Sequence, residues 1–233
     1  MGNTHSKVGI FDGGKIKTVV TFDDGHPGLA SWLGSTHFDK AIVCSVSAPQ
    51  KADELPQAGR KIIVLDHNTP LPISVSYSTP HTLGLDRIAA ATGAWQLFGG
   101  NCLVVDAGTA ITYDFISADG IFMGGNIAPG VSMRYKSLAE HTARLPLLAP
   151  DDGTALPDIG DTTENAIRCG VEMGVAAETE HWYSMAQKMM TKPIIAVTGG
   201  EGNVLCRRCP DSMPITYEPN LVHYGLYCIL DNI

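Results

Sequence analysis

Short apolar runs alternate with longer amphipathic stretches along this chain. Leu103-Val-Val-Asp106 carries three apolar residues into an acid, Gly108-Thr109 follows, and a second run extends from Ile111 to Ile116. This pattern predicts a buried strand, a tight polar turn and another strand. Residues 2–22 predict the same arrangement: Val8, Ile10 and Phe11 are apolar, Asp12-Gly-Gly14 is a hairpin signal, and Ile16 to Phe22 alternates. A loop over Asp23 to Pro27 leads to a short helix ending near Leu33. Lys40 to Val46 and Lys61 to Leu65 predict buried strands, separated by a short helix or loop over Lys51 to Gly59. Pro70 to Pro80 is extended and interrupted by proline.

Apolar positions at 85, 88, 89, 92 and 95 have the helical period and predict a helix over Leu83 to Phe98, which Gly99-Gly100 ends. Strands follow at Cys102 to Val105, Ile111 to Ile116 and Ile121 to Met123, with an Ala118-Asp-Gly120 turn between the last two. Gly124-Gly-Asn-Ile-Ala-Pro-Gly130 reads as a glycine-rich loop leading into a helix over Val131 to His141. Arg144 to Asp158 is a surface excursion rich in Pro, Asp and Gly. Asp161-Thr-Thr163-Glu164 opens a long helix predicted from Glu164 to Met190. Its stripe is Ile167, Val171, Gly174, Val175, Trp182, Met185 and Met189, and Gly170 and Gly174 are spaced to admit a second helix closely. A last strand, Ile194 to Val197, ends in Thr198-Gly-Gly200, and Asn220 to Leu230 forms a closing helix. The βαβ rhythm predicts an α/β fold with mixed sheets flanked by helices.

The chain has 233 residues, 44% of them hydrophobic and 17% charged, enough for one large domain or two small ones with a sizeable core. A formal net charge of −8 argues against a nucleic-acid partner. No apolar run reaches transmembrane length, so no membrane partner is expected and the protein is read as cytoplasmic. Six scattered cysteines suit a reducing compartment, and Cys206-Arg-Arg-Cys209 lacks the second pair that structural zinc needs.

The first and middle regions echo each other. Gly2-Asn3-Thr4 leads through a strand to Gly14, and Gly108-Thr109-Ala110 leads through a strand to Gly120, with 12 positions from first to last glycine in both. The echo reads as a duplicated strand–turn–strand unit in which each turn grips a polyphosphate. Two unrelated hairpins with a shared turn preference would give the same spacing. Asp106 lies two residues before Gly108, and its counterpart would lie before Met1. The first strand and its terminal acid are thus expected to be missing from the N-terminal lobe.

Seven motifs, in order, resemble type III pantothenate kinase: Tyr77-Ser-Thr-Pro80, Gly84-Leu-Asp-Arg87, Asp106-Ala-Gly-Thr109, Gly124 to Gly130, Gly160-Asp-Thr-Thr163, Thr198-Gly-Gly200 and Pro219-Asn-Leu221. The resemblance covers essentially the whole chain. It implies the actin-like ATPase fold of the acetate and sugar kinases: two ribonuclease H-like lobes, here residues 1–101 and 102–233, around an ATP cleft. It implies transfer of the ATP γ-phosphoryl to pantothenate, the first step of coenzyme A synthesis. Mg2+ with ATP, a monovalent cation (K+ or NH4+) and a homodimer are implied as well.

The resemblance also carries site residues. Asp86 matches the general base, since a carboxylate suits a proton leaving an attacking alcohol; its place in the first turn of a helix equally suits the helix dipole. Tyr77, Gly84, Leu85, Asp86, Arg87 and Thr163 match pantothenate-contacting positions. Tyr77 reads equally as a packing residue. Arg87 suits either the substrate carboxylate or a structural acid, and Thr163 either substrate or helix capping. The Lys-Asn usual before that threonine is Asp161-Thr162 here. Gly2, Asn3, Thr4, Lys7, Gly108, Thr109, Gly199 and Gly200 match ATP contacts, and Asp106 matches the monovalent-cation ligand, although strand-end turns also favour Asp. Met1 stands where the family has the residue before the first phosphate loop. Two readings therefore stand: an active pantothenate kinase, or a non-catalytic regulatory member of the same fold lacking that loop's acid.

Overall fold

The computed structural model describes residues 5–23, 27–45, 61–150 and 153–233. Gly2, Asn3 and Thr4, and the predicted Lys51 to Gly59 segment, lie outside them. In chain order the strands are β1 (His5–Asp12), β2 (Lys15–Asp23), β3 (Lys40–Val43), β4 (Lys61–Val64), β5 (Ser74–Val75), β6 (Cys102–Ala107), β7 (Ala110–Ile116), β8 (Ile121–Pro129), β9 (Ile194–Thr198) and β10 (Ile215–Tyr217). The helices are α1 (Pro27–Ser35), α2 (Leu85–Phe98), α3 (Val131–Glu140), α4 (Thr163–Arg168), α5 (Gly174–Met189), α6 (Gly202–Arg208) and α7 (Leu221–Asp231).

Two compact units divide the chain: Met1–Phe98 with Gly120–Phe122 and Asn220–Ile233, and Gly99–Asp119 with Met123–Pro219. The closing helix α7 thus groups with the N-terminal unit, whereas a division at residue 101 would place it in the other. Its packing gives the reason. A side chain at Gly93 of α2 would strike the Leu221 carbonyl of α7, and one at Gly225 of α7 would strike the Ala89 carbonyl of α2. The two helices touch backbone to backbone, so both positions must be glycine. Residues Arg87 to Ala94 of α2 are all buried, including the run Ala89 to Ala91. A helix enclosed on every side at its N-terminal half is fixed in position.

In the first unit β1 and β2 form an antiparallel hairpin through Gly13 and Gly14, both at positive φ (56° and 79°). β3 and β4 pair in parallel, and β5 pairs in parallel with Ile121–Phe122, the start of β8. The second unit carries a sheet in the order β10-β9-β6-β7-β8. Its centre is β6, where Leu103, Val104 and Val105 are fully buried; burial on both faces is why that strand reads as an unbroken apolar run. Each such side chain contributes about 1.5–3 kcal/mol relative to an exposed one. Register places Asp106 opposite Thr112 on antiparallel β7 and opposite Thr198 on parallel β9.

Three expectations change. The Gly124 to Gly130 stretch is mostly strand, because β8 continues through Pro129, with Gly124 at φ 118°. The long helix is interrupted by a π-turn over Cys169–Met173, between α4 and α5. α5 ends at Met189, which is 54% exposed, and Met190 turns into extended backbone and is buried. Gly170 and Gly174 admit no close neighbour: a side-chain carbon at either meets nothing within 4 Å. The close helix approach belongs to Gly93 and Gly225. Sequence patterning also missed α6 and β10, which are short.

Candidate active site

In the second unit three separate motifs meet at the end of β6. The turn after β6 closes through the Gly108 N–H, which donates to the Ala110 carbonyl at 3.1 Å. The Gly130 N–H donates to the Thr109 carbonyl at 3.1 Å, seating the start of α3 on that turn. A side chain at Gly130 would occupy the space of the Gly108 and Thr109 carbonyls, so this is the glycine of the Gly124 to Gly130 motif that the contact demands. From the other side, the Glu201 N–H donates to the Ala107 carbonyl at 2.9 Å. Gly199 has φ 90°, and a side chain there would meet the Ala107 carbonyl and Asp106 Oδ1. Tyr217 donates its hydroxyl to the Gly199 carbonyl at 3.1 Å. Burial, with smaller effects from Cys206, Glu218 and Asp106, raises the Tyr217 hydroxyl above its ordinary range, so it stays a donor.

Glu201 is a residue the sequence reading missed. Its carboxylate accepts from the Val131 N–H at 2.8 Å and the Ser132 N–H at 3.1 Å. The N-cap of α3 is Gly130, which has no side chain to satisfy those donors, and the first turn carries no acid. Glu201 supplies both from outside and places a negative charge at the helix N-terminus. The signal was a helix start without a cap of its own. Glu201→Ala is expected to lower stability by about 1–2 kcal/mol, read as a shifted urea midpoint, while Glu201→Gln, which keeps one acceptor, recovers part of that loss.

Asp106 is partly buried at the edge of this cluster, its Oδ1 against the open face of Gly199. A carboxylate oxygen beside a carbonyl is a hard, all-oxygen donor set that fits an alkali or ammonium cation rather than a soft metal. Thr109 is exposed at the turn, and Gly200 has nothing within 4 Å of a would-be side chain. The exposed Thr109 at a strand end, between two glycine turns, is an arrangement suited to phosphate.

Cys206 and Cys209 stand at the end of α6 as free thiols, and burial pushes Cys209 up to about 12. Neither thiol is primed as a thiolate. Among the described residues no group of three or more His, Cys, Asp and Glu side chains is placed to hold a metal.

In the first unit, Gly84 to Arg87 forms the entry to α2. The Gly84 carbonyl accepts the Ile88 N–H at 3.2 Å. Asp86, partly buried in the first turn, accepts the Arg87 N–H on Oδ1 at 3.0 Å. A side-chain carbon on Gly84 would lie 2.5 Å from that same oxygen, so glycine here keeps the Asp86 carboxylate in place. Leu85 packs against Cys44, Leu65 and Ile229. Arg87 is 6% exposed and its guanidinium lies 5.9 Å from the ring centre of Phe122. Tyr77 meets the same ring edge-on at 6.3 Å. Phe122, fully buried, thus joins two expected substrate residues, and nothing in its local sequence distinguishes it from any strand residue.

Thr163 is the first residue of α4 and is exposed. The capping task belongs to its neighbour: Thr162 Oγ1 accepts the Asn165 N–H at 3.1 Å. Lys7 is exposed on β1.

The family described as type III pantothenate kinase matches residues 1–185. A type III pantothenate kinase from Porphyromonas gingivalis is 37% identical over 236 residues, covering 99% of this chain and 95% of the relative. Among solved structures, a conserved Baf family protein from Campylobacter jejuni aligns with a TM-score of 0.64 at 24% identity, covering 99% of this chain and 95% of that one. The activator of 2-hydroxyisocaproyl-CoA dehydratase from Clostridium difficile, solved with bound ADPNP, aligns at 0.58 with 13% identity, covering 99% and 92%. The fold is that of the actin-like ATPases and sugar kinases.

Proposed function

The chain belongs to the type III pantothenate kinase family, and on that premise we propose how its own residues divide the work. The enzyme transfers the γ-phosphoryl of ATP, supplied with Mg2+, to the hydroxyl of pantothenate, opening coenzyme A biosynthesis. The non-catalytic reading has no observation in its favour.

Asp86 acts as the general base. It accepts the proton of the pantothenate hydroxyl as that oxygen attacks the γ-phosphorus in line, and Gly84 and the Arg87 N–H hold its carboxylate for the task. In the first unit Arg87 supplies the positive charge that orients the pantothenate carboxylate, with Tyr77 and Leu85 as its neighbouring substrate contacts; in the second, Thr163 is assigned a substrate hydroxyl contact. Gly108, Thr109, Gly199 and Gly200 receive ATP, with Lys7 and Gly2 to Thr4 as the other phosphate contacts. Asp106 holds K+ or NH4+, whose charge offsets that of the phosphate oxygens. The protein works as a homodimer in the cytoplasm; among the described residues no helix is long and apolar enough to cross a membrane.

The observation that carries this assignment is the meeting of the Asp106 turn, Gly130 and the Gly199 turn at one strand end. The test is pantothenate-dependent ADP release measured in K+, NH4+ or Na+. The wild-type chain is expected to work faster in K+ or NH4+ than in Na+. Asp106→Asn is expected to lose that preference and to raise the KM for ATP about tenfold, one lost charge contact being worth roughly 1.4 kcal/mol. A variant that keeps the cation preference would remove Asp106 from the role.

A further inference from the structure

Tyr77 and Gly84 bracket a short segment that closes on itself. The Thr79 and Thr82 hydroxyls are hydrogen-bonded at 2.7 Å, and the Thr82 N–H and hydroxyl both donate to the Thr79 carbonyl at 2.9 Å. Pro80–Thr82 is one turn of 3-10 helix, and the Leu83 N–H donates to the Pro80 carbonyl at 3.2 Å. Leu83 itself is extended (φ −71°, ψ 130°) and 2% exposed. Its carbonyl falls between two helices, because α2 begins at Leu85 and it is the Gly84 carbonyl, one residue on, that accepts the Ile88 N–H. A carbonyl so placed needs a donor from elsewhere in the chain. His67 supplies it, with Nε2 at 3.0 Å. A carbonyl only accepts, so Nε2 carries the proton.

His67 reaches the Leu83 carbonyl from a turn that is closed without it. The Thr69 N–H donates to the Asp66 carbonyl at 3.2 Å, and the Asp66 N–H donates to Thr69 Oγ1 at 3.0 Å. Asp66 Oδ1 accepts from the Asn68 N–H and from the Thr69 hydroxyl, each at 2.9 Å. The Thr69 hydroxyl, and after it the Asn68 N–H, hold the Asp66 carboxyl below its ordinary range, so it stays an acceptor. None of these bonds uses the His67 side chain. Leu65 and Leu71, on either side of the turn, pack in the same apolar cluster as Leu85 of α2. The turn and the entry to α2 therefore share one anchor, and His67 adds a polar link between them. His67 is exposed, so burial does not account for its place. The ring of His81, on the 3-10 turn, meets it edge-on with 6.0 Å between centres.

We propose that His67 is a positioning residue for the pantothenate site: its Nε2–H, presented by the Asp66–Thr69 turn, tethers the Leu83 carbonyl and with it the Gly84 to Arg87 entry that carries Asp86. This role rests on the assignment of Tyr77 and Gly84 to Arg87 to substrate. A displacement of about 1 Å in groups that orient a substrate can cost about 10²-fold in rate. A single lost tether one residue before Gly84 therefore reaches the reaction without touching it.

Three variants separate the N–H from the ring. His67→Gln keeps a donor near the Nε2 position and loses the ring, His67→Phe keeps a ring against His81 and loses the donor, and His67→Ala loses both. The Phe and Ala variants are expected to raise the KM for pantothenate about fivefold, with the KM for ATP within about twofold of wild type and Tm within about 2 °C. His67→Gln is expected to recover most of the lost affinity. Amide hydrogen exchange at Leu83 and Ile88 should follow the same order, about fivefold faster in the Phe and Ala variants, with the β6 amides unchanged. A wild-type KM for pantothenate or wild-type exchange in the Phe variant would overturn the proposal, as would a Gln variant no better than Ala. Asp86→Asn, assayed alongside, tells the two failures apart. Full turnover there removes the site reading itself, whereas lost turnover beside unaffected His67 variants removes the tether alone.

Discussion

Asp86→Asn is expected to lower kcat for pantothenate phosphorylation by about 10²- to 10⁴-fold, the range over which a positioned general base contributes. Stability and the KM for pantothenate should stay close to wild type. The asparagine keeps an oxygen at the Oδ1 position, so the Arg87 N–H retains its acceptor and the first turn of α2 keeps its shape. What is lost is the ability to take a proton. That separates a base from a residue that merely favours the helix N-terminus: the helix-dipole role would show as a stability loss of about 0.3–1 kcal/mol with turnover largely intact. Steady-state kinetics and a melting curve on the same preparation decide between them. A variant that turns over at the wild-type rate would end the assignment.

The second large effect lies in the adjacent glycines Gly199 and Gly200. Gly199→Ala is expected to destabilise the protein by about 2–4 kcal/mol, combining a side chain at φ 90° with a collision against the Ala107 carbonyl. ATP binding should weaken with it, because Asp106 lies against the same carbon. Gly200→Ala is the internal control. Its added methyl meets nothing within 4 Å, so the melting temperature should hold while the KM for ATP rises if the nucleoside passes over that surface. Equal melting temperatures for both variants would show that the turn tolerates what its geometry forbids.

The α/β order was legible because strand periods and glycine punctuation are local properties. Leu103 to Val105 is apolar throughout because it is enclosed on both faces, and that reads directly. Asp86 stands in the first turn of α2, where the helical period places it. What stayed hidden depends on partners distant in sequence. Glu201 caps a helix 70 positions away, and Phe122 gathers Tyr77 and Arg87 only after folding. The π-turn at Cys169–Met173 carries a buried acid. Glu172 is 1% exposed and accepts from the Tyr135 hydroxyl and from Arg208 Nε, each at 2.8 Å. A helical stripe counted at 3.6 residues per turn has no means to anticipate such a demand. The Gly170 and Gly174 pair misled because small-residue spacing permits a close approach without requiring one, whereas Gly93 and Gly225 carried no pattern within either helix alone.

That last contact also sets an order of events during synthesis. Leu221–Asp231 follows every other helix and strand described here, and it is the helix on which α2, the carrier of Asp86, rests its backbone. The stretch from Gly99 to Pro219, apart from Gly120–Phe122, belongs to the second unit and is complete in the nascent chain before that. α2 therefore gains its backbone support only after the Gly99 to Pro219 stretch has been made.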